Sequence, residues 1–236
     1  MEGDQDQFKS MVGKIGWLAK NARPDLSFDS VVLSSKAGKA TVSDFNYTVK
    51  ILKKIKADDT EMIFRNLGSI SEWSLEGHSD AGYRSLPDKI SSCGGQVVLV
   101  VNRKRGRCCV LEWKSKKIRR VVSSSTAAEA IALNDALDEI IYLKEVLIEV
   151  VGEDAKDVPI ELYTDCRNLQ RSILSTTLAE NPRLRTEIAK LQESLEKGEV
   201  ERIHLVPGQD MIANCLTKKG ASSQRLRGLL KEGISP

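Results

Sequence analysis

Three carboxylates stand where the residue pattern changes period. Asp80 closes an alternating apolar–polar segment in "GHSDAGY", Asp165 closes a short apolar segment in "LYTDCRN", and Glu129 opens a long helical run in "SSSTAAEAIALND". In open sheets with crossover helices, side chains from distant parts of a chain converge at strand ends. Three acids gathered there would bind a divalent cation, because Mg²⁺ takes hard oxygen ligands and keeps waters and substrate phosphates in its shell. Two such ions about 4 Å apart can activate a water and stabilise an oxygen leaving phosphorus. Spacing alone leaves a second reading of Glu129 open. Thr126 precedes it by three residues, as in a capping box where Thr caps the helix and Glu reaches back to the cap's backbone N–H.

The elements that must position these acids follow from periodicity. Phe8 to Ala22, Asp25 to Ser35 and Thr41 to Ile55 carry apolar residues at three- and four-residue spacing, so the first 57 or so residues are mostly helical. Near residue 60 the period becomes two. "EMIFRNLG" and "EWSLEGHSD" read as half-buried strands, and "CGGQVVLVV" and "CCVLEWK" read as an antiparallel hairpin around "NRKRGR". Thr126 to Val151 is the strongest helical pattern. A short strand at Val158 to Asp165, helices at Arg167 to Leu174 and Leu184 to Lys197, a strand in "VERIHLV" and a short helix at Met211 to Thr217 follow. Antiparallel strands first and helical crossovers afterwards imply an α/β mixed sheet with helices on its faces.

Composition narrows the partners. The chain has 236 residues, is 41% hydrophobic and 29% charged, and carries a net charge of +3, as expected of a globular protein. "VNRKRGRCC" and "WKSKKIRR" together hold nine of the 36 lysines and arginines. Such runs are solvated loop charge or a phosphate-binding edge. Five cysteines without a CxxC spacing and only two histidines, His78 and His204, argue for reduced thiols and against a zinc site. No run approaches 18 apolar residues and the acidic, polar start is unlike a signal peptide, so no membrane partner is expected. An intracellular setting is expected, in cytoplasm or nucleus.

From "SDAGY" to "LTK" the chain resembles the ribonuclease H domain of copia-type LTR retrotransposons. That family shows "SDAD", then "SWKSKKQ", "SSTEAEYIAL", a strand ending in "DN", and "ADxLTK". Here the order is "SDAGY", "EWKSKKI", "SSTAAEAIAL", "YTDCRN" and "IANCLTK". "GKIGWLAKNARPDLSF" similarly resembles the segment that joins polymerase to ribonuclease H in such elements. The resemblance implies a ribonuclease H-like fold with a mixed five-stranded sheet, preceded by a mostly helical segment. It implies residues 1–70 as connection-like, 71–220 as the ribonuclease H-like domain and 221–236 as a basic tail.

The same resemblance implies an Asp, Glu, Asp, Asp centre that hydrolyses the RNA strand of RNA–DNA hybrids with two Mg²⁺ ions, or Mn²⁺. Asp80, Glu129 and Asp165 fall on the first three positions as metal ligands. Asn214 falls on the fourth, and supplies a carbonyl oxygen without charge. Ala127 and Gly82 replace two further family acids outside the metal set. Lys114, Ser115, Lys116, Lys117 and Arg119 fall where the family would grip the hybrid. The polymerase domain of a reverse transcriptase is a further implied partner, and a retrotransposon particle a further implied setting. A rival reading is a weakened or host-adopted fragment that binds nucleic acid or protein without cleaving.

Overall fold

The computed structural model describes residues 2–58, 61–176 and 181–235 of the chain, with side chains from residue 5 onward. Five strands form one sheet in the order β3-β2-β1-β4-β5: β1 (Ser74–Gly82), β2 (Cys93–Asn102), β3 (Arg107–Lys117), β4 (Ile160–Thr164) and β5 (Arg202–Leu205). β1 pairs antiparallel with β2, and β2 with β3, whereas β1–β4 and β4–β5 are parallel. This order and these directions are those of the ribonuclease H-like fold.

The helices are α1 (Glu2–Asn21), α2 (Ser27–Ser34), α3 (Val42–Ala57), α4 (Ser125–Val151), α5 (Arg167–Leu174), α6 (Pro182–Glu196) and α7 (Gln224–Glu232). α4 lies across one face of the sheet. Its alanines 128, 132 and 136 are buried, and small side chains let the helix approach closely. Gly94 and Gly77 on the strands answer them: a Cβ on Gly94 would sit 3.7 Å from Ala132 Cβ, and one on Gly77 would sit 3.4 Å from Ile140 Cδ1 and 4.0 Å from the Ala136 carbonyl oxygen. Leu75, Val98, Leu133, Leu137, Ile140 and Leu162 fill the core between.

The other face of β2 and β3 is covered by the 3₁₀ turn Ile212–Leu216 and by α7, which buries Leu226, Leu229 and Leu230. α7 lies in the stretch expected as a basic tail. The N-terminal helices form their own cluster around Phe8, Val12, Ile15, Leu26 and Ile51. α3 starts with a reciprocal cap: Thr41 Oγ1 accepts from the Asp44 amide at 3.2 Å, and Asp44 accepts from the Thr41 amide at 2.9 Å. These helices are tied to the sheet. Trp113 Nε1 on β3 donates to Ala19 O at 2.6 Å. The "RPD" motif closes on itself, with Arg23 donating to both Asp25 oxygens at 2.8 and 2.9 Å, and Arg23 also reaches Asp58 O. Asp58 in turn pairs with Arg227 of α7 at 2.5 Å.

Two expectations change. "EMIFRNLG" is extended but is not a strand. Its amides bond elsewhere: Ile63 N donates to Leu230 O, and Arg65 N to Cys109 Sγ. Without a neighbouring strand, alternation produces no ladder. Glu129 is not half of a capping box. The cap is Ser124, whose hydroxyl accepts from the Ala127 amide at 3.1 Å, so the helix starts earlier than Thr126 and Glu129 lies inside it.

Candidate active site

The fold brings Asp80, Glu129 and Asp165 together. Asp80 lies near the end of β1, Asp165 directly follows β4, and the two strands are parallel neighbours, so both acids sit at the same edge. Glu129, in the first turns of α4, packs over that edge. One carboxylate oxygen from each acid lies within 4.8 Å of the other two. Asp80 is fully buried and Glu129 nearly so, while Asp165 is half-buried.

Close packing of like charges and burial shape their chemistry. Burial pushes the Glu129 carboxyl up to about 9, with Asp80 and Asp165 pushing the same way and the Ala81 amide, which donates to Glu129, opposing. Burial, then Asp80, also raises Asp165 above the usual carboxylate range. Among the described residues, Glu129 Oε2 is buried with no hydrogen-bond partner. A buried acceptor with no donor is costly unless something satisfies it. Three hard oxygen donors with one orphaned atom suit a divalent cation.

Asn214 does not complete the cluster as a free ligand. Its amide Nδ2 donates to Gly208 O at 2.7 Å, and its Oδ1 accepts from Lys218 Nζ at 2.9 Å. Lys218 Nζ also lies 3.3 Å from Asp80 Oδ1, and the Thr217 hydroxyl donates to Asp80 Oδ2. Thr217 and Lys218, both in "LTK", therefore contact the acidic cluster, which their residue types and spacing alone do not signal. Two glycines make room for them. Gly95 is the cross-strand partner of Asp80, and a Cβ there would meet Thr217 Cγ2 at 2.7 Å. Gly82, which replaces a family acid, lies under the Thr217 carbonyl, where a side chain would collide. Asp210, just before the Ile212–Leu216 turn, does not cap it and pairs with Arg225 at 2.5 Å.

The basic stretch ends in acid partners outside the cluster. Lys114 pairs with Glu139 at 2.5 Å, Lys116 with Asp135 at 2.8 Å, and Lys117 with Asp88 at 3.4 Å. Ser115 Oγ donates to Leu216 O at 2.6 Å and so fixes the turn that carries Asn214. Arg119 is exposed. The two histidines are packed. His78, Tyr163 and His204 stack across β1, β4 and β5, with ring centroids 4.3 and 4.6 Å apart. Burial lowers the His78 pKa.

A β3-β2-β1-β4-β5 sheet that delivers acids from β1, β4 and the first crossover helix to one edge defines a ribonuclease H-like protein. No protein-family profile matches the chain. The retrovirus-related Pol polyprotein from transposon RE2 of Arabidopsis thaliana is 26% identical over 222 residues, covering 91% of this chain and 14% of that protein. The secreted RxLR effector protein 161 of Plasmopara viticola is 30% identical over 137 residues, 58% of this chain and 90% of that protein. Among solved structures, the LC11 ribonuclease H1 isolated from compost aligns at a TM-score of 0.45 and 19% identity, over 65% of this chain and 98% of that one. The chain belongs to the copia-type retrotransposon Pol family. It spans about one seventh of the length of the polyproteins it matches. Among the described residues, no helix is long and apolar enough to cross a membrane.

Proposed function

We propose that this chain hydrolyses the RNA strand of RNA–DNA hybrids at Asp80, Glu129 and Asp165 with divalent metal, Mg²⁺ or Mn²⁺. The observation that carries the reading is the approach of three carboxylates within 4.8 Å, one of them with a buried, unpartnered oxygen. A divalent cation held by these acids would lower the pKa of an attacking water and offset charge on the departing 3′ oxygen.

The chain's own residues prepare that chemistry. Thr217 and Lys218 hold the Asp80 carboxylate in place before substrate arrives. Burial keeps water from Glu129, and Ala81 fixes one of its oxygens. Beside the start of α4, a cavity of about 560 Å³ is lined by Arg84, Arg120 and Arg183 with Ser123 and Asn181. Its arginines offer donors to a phosphodiester backbone, Arg120 after exchanging Glu187 for phosphate. Selectivity for hybrids rests on 2′-hydroxyl contacts and on minor-groove shape. In this reading residues 1–70 are the connection-like segment, 71–220 the catalytic domain and 221–236 its basic extension. Lys114, Ser115, Lys116, Lys117 and Arg119 border the bound hybrid, the lysines after exchanging their acid partners for phosphate.

A second reading, a non-cleaving nucleic-acid-binding module, is favoured by Asn214 at the fourth position and by Lys218 on Asp80. Incubation of the purified chain with a labelled hybrid and Mg²⁺ or Mn²⁺, beside Asp80→Asn, separates the two. Metal-dependent cleavage lost in the variant supports the nuclease; binding of the hybrid with no metal-dependent cleavage above the variant's supports the binding module.

A further inference from the structure

A second basic region lies apart from the two runs that stand out in the sequence. Two cavities, of about 380 and about 500 Å³, lie side by side between α3, the loop of residues 217–223 and α7. They share Lys54, Gly220, Ala221 and Ser223, so they form one continuous groove. Six cations line it: Lys50, Lys54, Lys218, Lys219, Arg227 and Lys231. Among the described residues, two carboxylates, Asp25 and Asp29, join them. The groove thus carries more net positive charge than the +3 of the whole chain. Both acids are engaged, Asp25 by Arg23 and Asp29 by the Tyr47 hydroxyl at 2.7 Å.

Part of the positive charge is already balanced. Lys54 pairs with Asp25 at 3.6 Å, Arg227 with Asp58, and Lys218 with Asp80, while Lys219 lies 4.8 Å from the Tyr47 ring centroid. Lys50 and Lys231 are exposed, and among the described residues neither has an ion-pair partner. By contrast, Lys114, Lys116 and Lys117 each have a carboxylate. Small residues at 220, 221 and 223 keep the floor open. Lys218 lines one end and lies 3.3 Å from Asp80, so a single side chain links the groove to the acidic centre, and from there the groove extends along α3 and α7.

We propose that this groove is a phosphate track, in which Lys50, Lys219 and Lys231 hold the phosphodiester backbone of nucleic acid bound at the acidic centre. The proposal rests on the hybrid-cleaving reading for the identity of the bound strand, and it assigns the N-terminal segment a binding role. Clustered lysines around an open, weakly acidic groove bind phosphates by releasing condensed counterions. A row of unpaired ammonium groups leading from a phosphodiester-cleaving centre fits a polymer of phosphates better than an isolated ion.

The test uses the full chain with Asp80→Asn to stop cleavage. Binding to a fluorescent RNA–DNA hybrid is measured against salt concentration, with and without Lys50→Gln/Lys231→Gln. Each phosphate contact contributes about 0.9 to the slope of log K on log salt, so the double variant is expected to lower the slope by about 1.8. A Lys156→Gln/Lys197→Gln pair, exposed lysines elsewhere in the fold, serves as the comparator and is expected to leave it near its starting value. An unchanged slope in the groove variant, an equal fall in the comparator, or tighter binding of polyglutamate than of hybrid overturns the track. Cleavage by the chain with Asp80 intact is scored separately. Cleavage with an unaltered slope sinks the track alone, whereas a lowered slope without cleavage sinks the nuclease reading alone.

Discussion

Lys218 Nζ lies 3.3 Å from Asp80 Oδ1, and the same ammonium lies 2.9 Å from Asn214 Oδ1. One cation therefore joins the first position of the acidic centre to the position where the family carries its fourth acid. The neutral amide at 214 accepts from Lys218 without competing with Asp80 for its charge.

This relationship gives Asn214→Asp a defined outcome. A carboxylate at 214 would draw Lys218 toward itself and add negative charge for the metal. The expected result is a rise of about tenfold in metal-dependent cleavage, equivalent to about 1.4 kcal/mol of barrier. Single-turnover rates on a hybrid at saturating Mg²⁺ check it. An unchanged rate would mean that the amide already serves as well as an acid.

Stability without metal is expected to depend on pH through Glu129. Burial first, then Asp80 and Asp165, raises its carboxyl to about 9, far above the unfolded value. Between those values the folded chain holds a proton that the unfolded chain has lost, so stability falls as pH rises. In EDTA, the melting temperature is expected to drop from pH 5 to pH 9, and Glu129→Gln to flatten that drop. A metal that binds the ionised acids releases a proton and stabilises the chain most toward pH 9. A wild-type profile parallel to that of Glu129→Gln would refute this.

Gly82 replaces a family acid, yet putting the acid back is expected to harm the fold. A Cβ at 82 collides with the Thr217 carbonyl and with Ser85. Overfilled sites of this kind cost about 1–3 kcal/mol, so Gly82→Asp should lower the urea midpoint. Because Thr217 holds Asp80, it should lower activity as well.

The Arg23–Asp25 fork is buried, with side chains 5% and 0% exposed. Removing one partner of a buried pair costs about 3–5 kcal/mol because a charge is left uncompensated. Arg23→Met is expected to lose stability on that scale, and Arg23→Met/Asp25→Leu to recover most of it. Equilibrium denaturation of the two variants decides this.

Much of this was legible in residue types and order. The five strands from residue 74 onward and the long helix follow from periodicity, and the three acids were recognisable by their places at strand ends and helix start. Four features were hidden for physical reasons. "EMIFRNLG" alternates as a strand does, but pairing depends on a neighbour that local pattern cannot supply. Thr126 and Glu129 have the spacing of a capping box, but Ser124 caps first. Lys218 has no local signal as a partner of Asp80, 138 residues away, because only the sheet and Gly95 bring the 212–217 turn against β1. The groove was hidden similarly, since its lysines come from α3, the 217–223 loop and α7.

The most direct measurement of the central claim is cleavage of a labelled RNA–DNA hybrid by the purified chain and by Asp80→Asn, across a titration of Mg²⁺ and Mn²⁺. The expected result is RNA-strand products that need metal and fall at least about a hundredfold in the variant, as when about 2.7 kcal/mol of transition-state stabilisation is lost. Metal-independent cleavage, or equal rates in the two proteins, would contradict it.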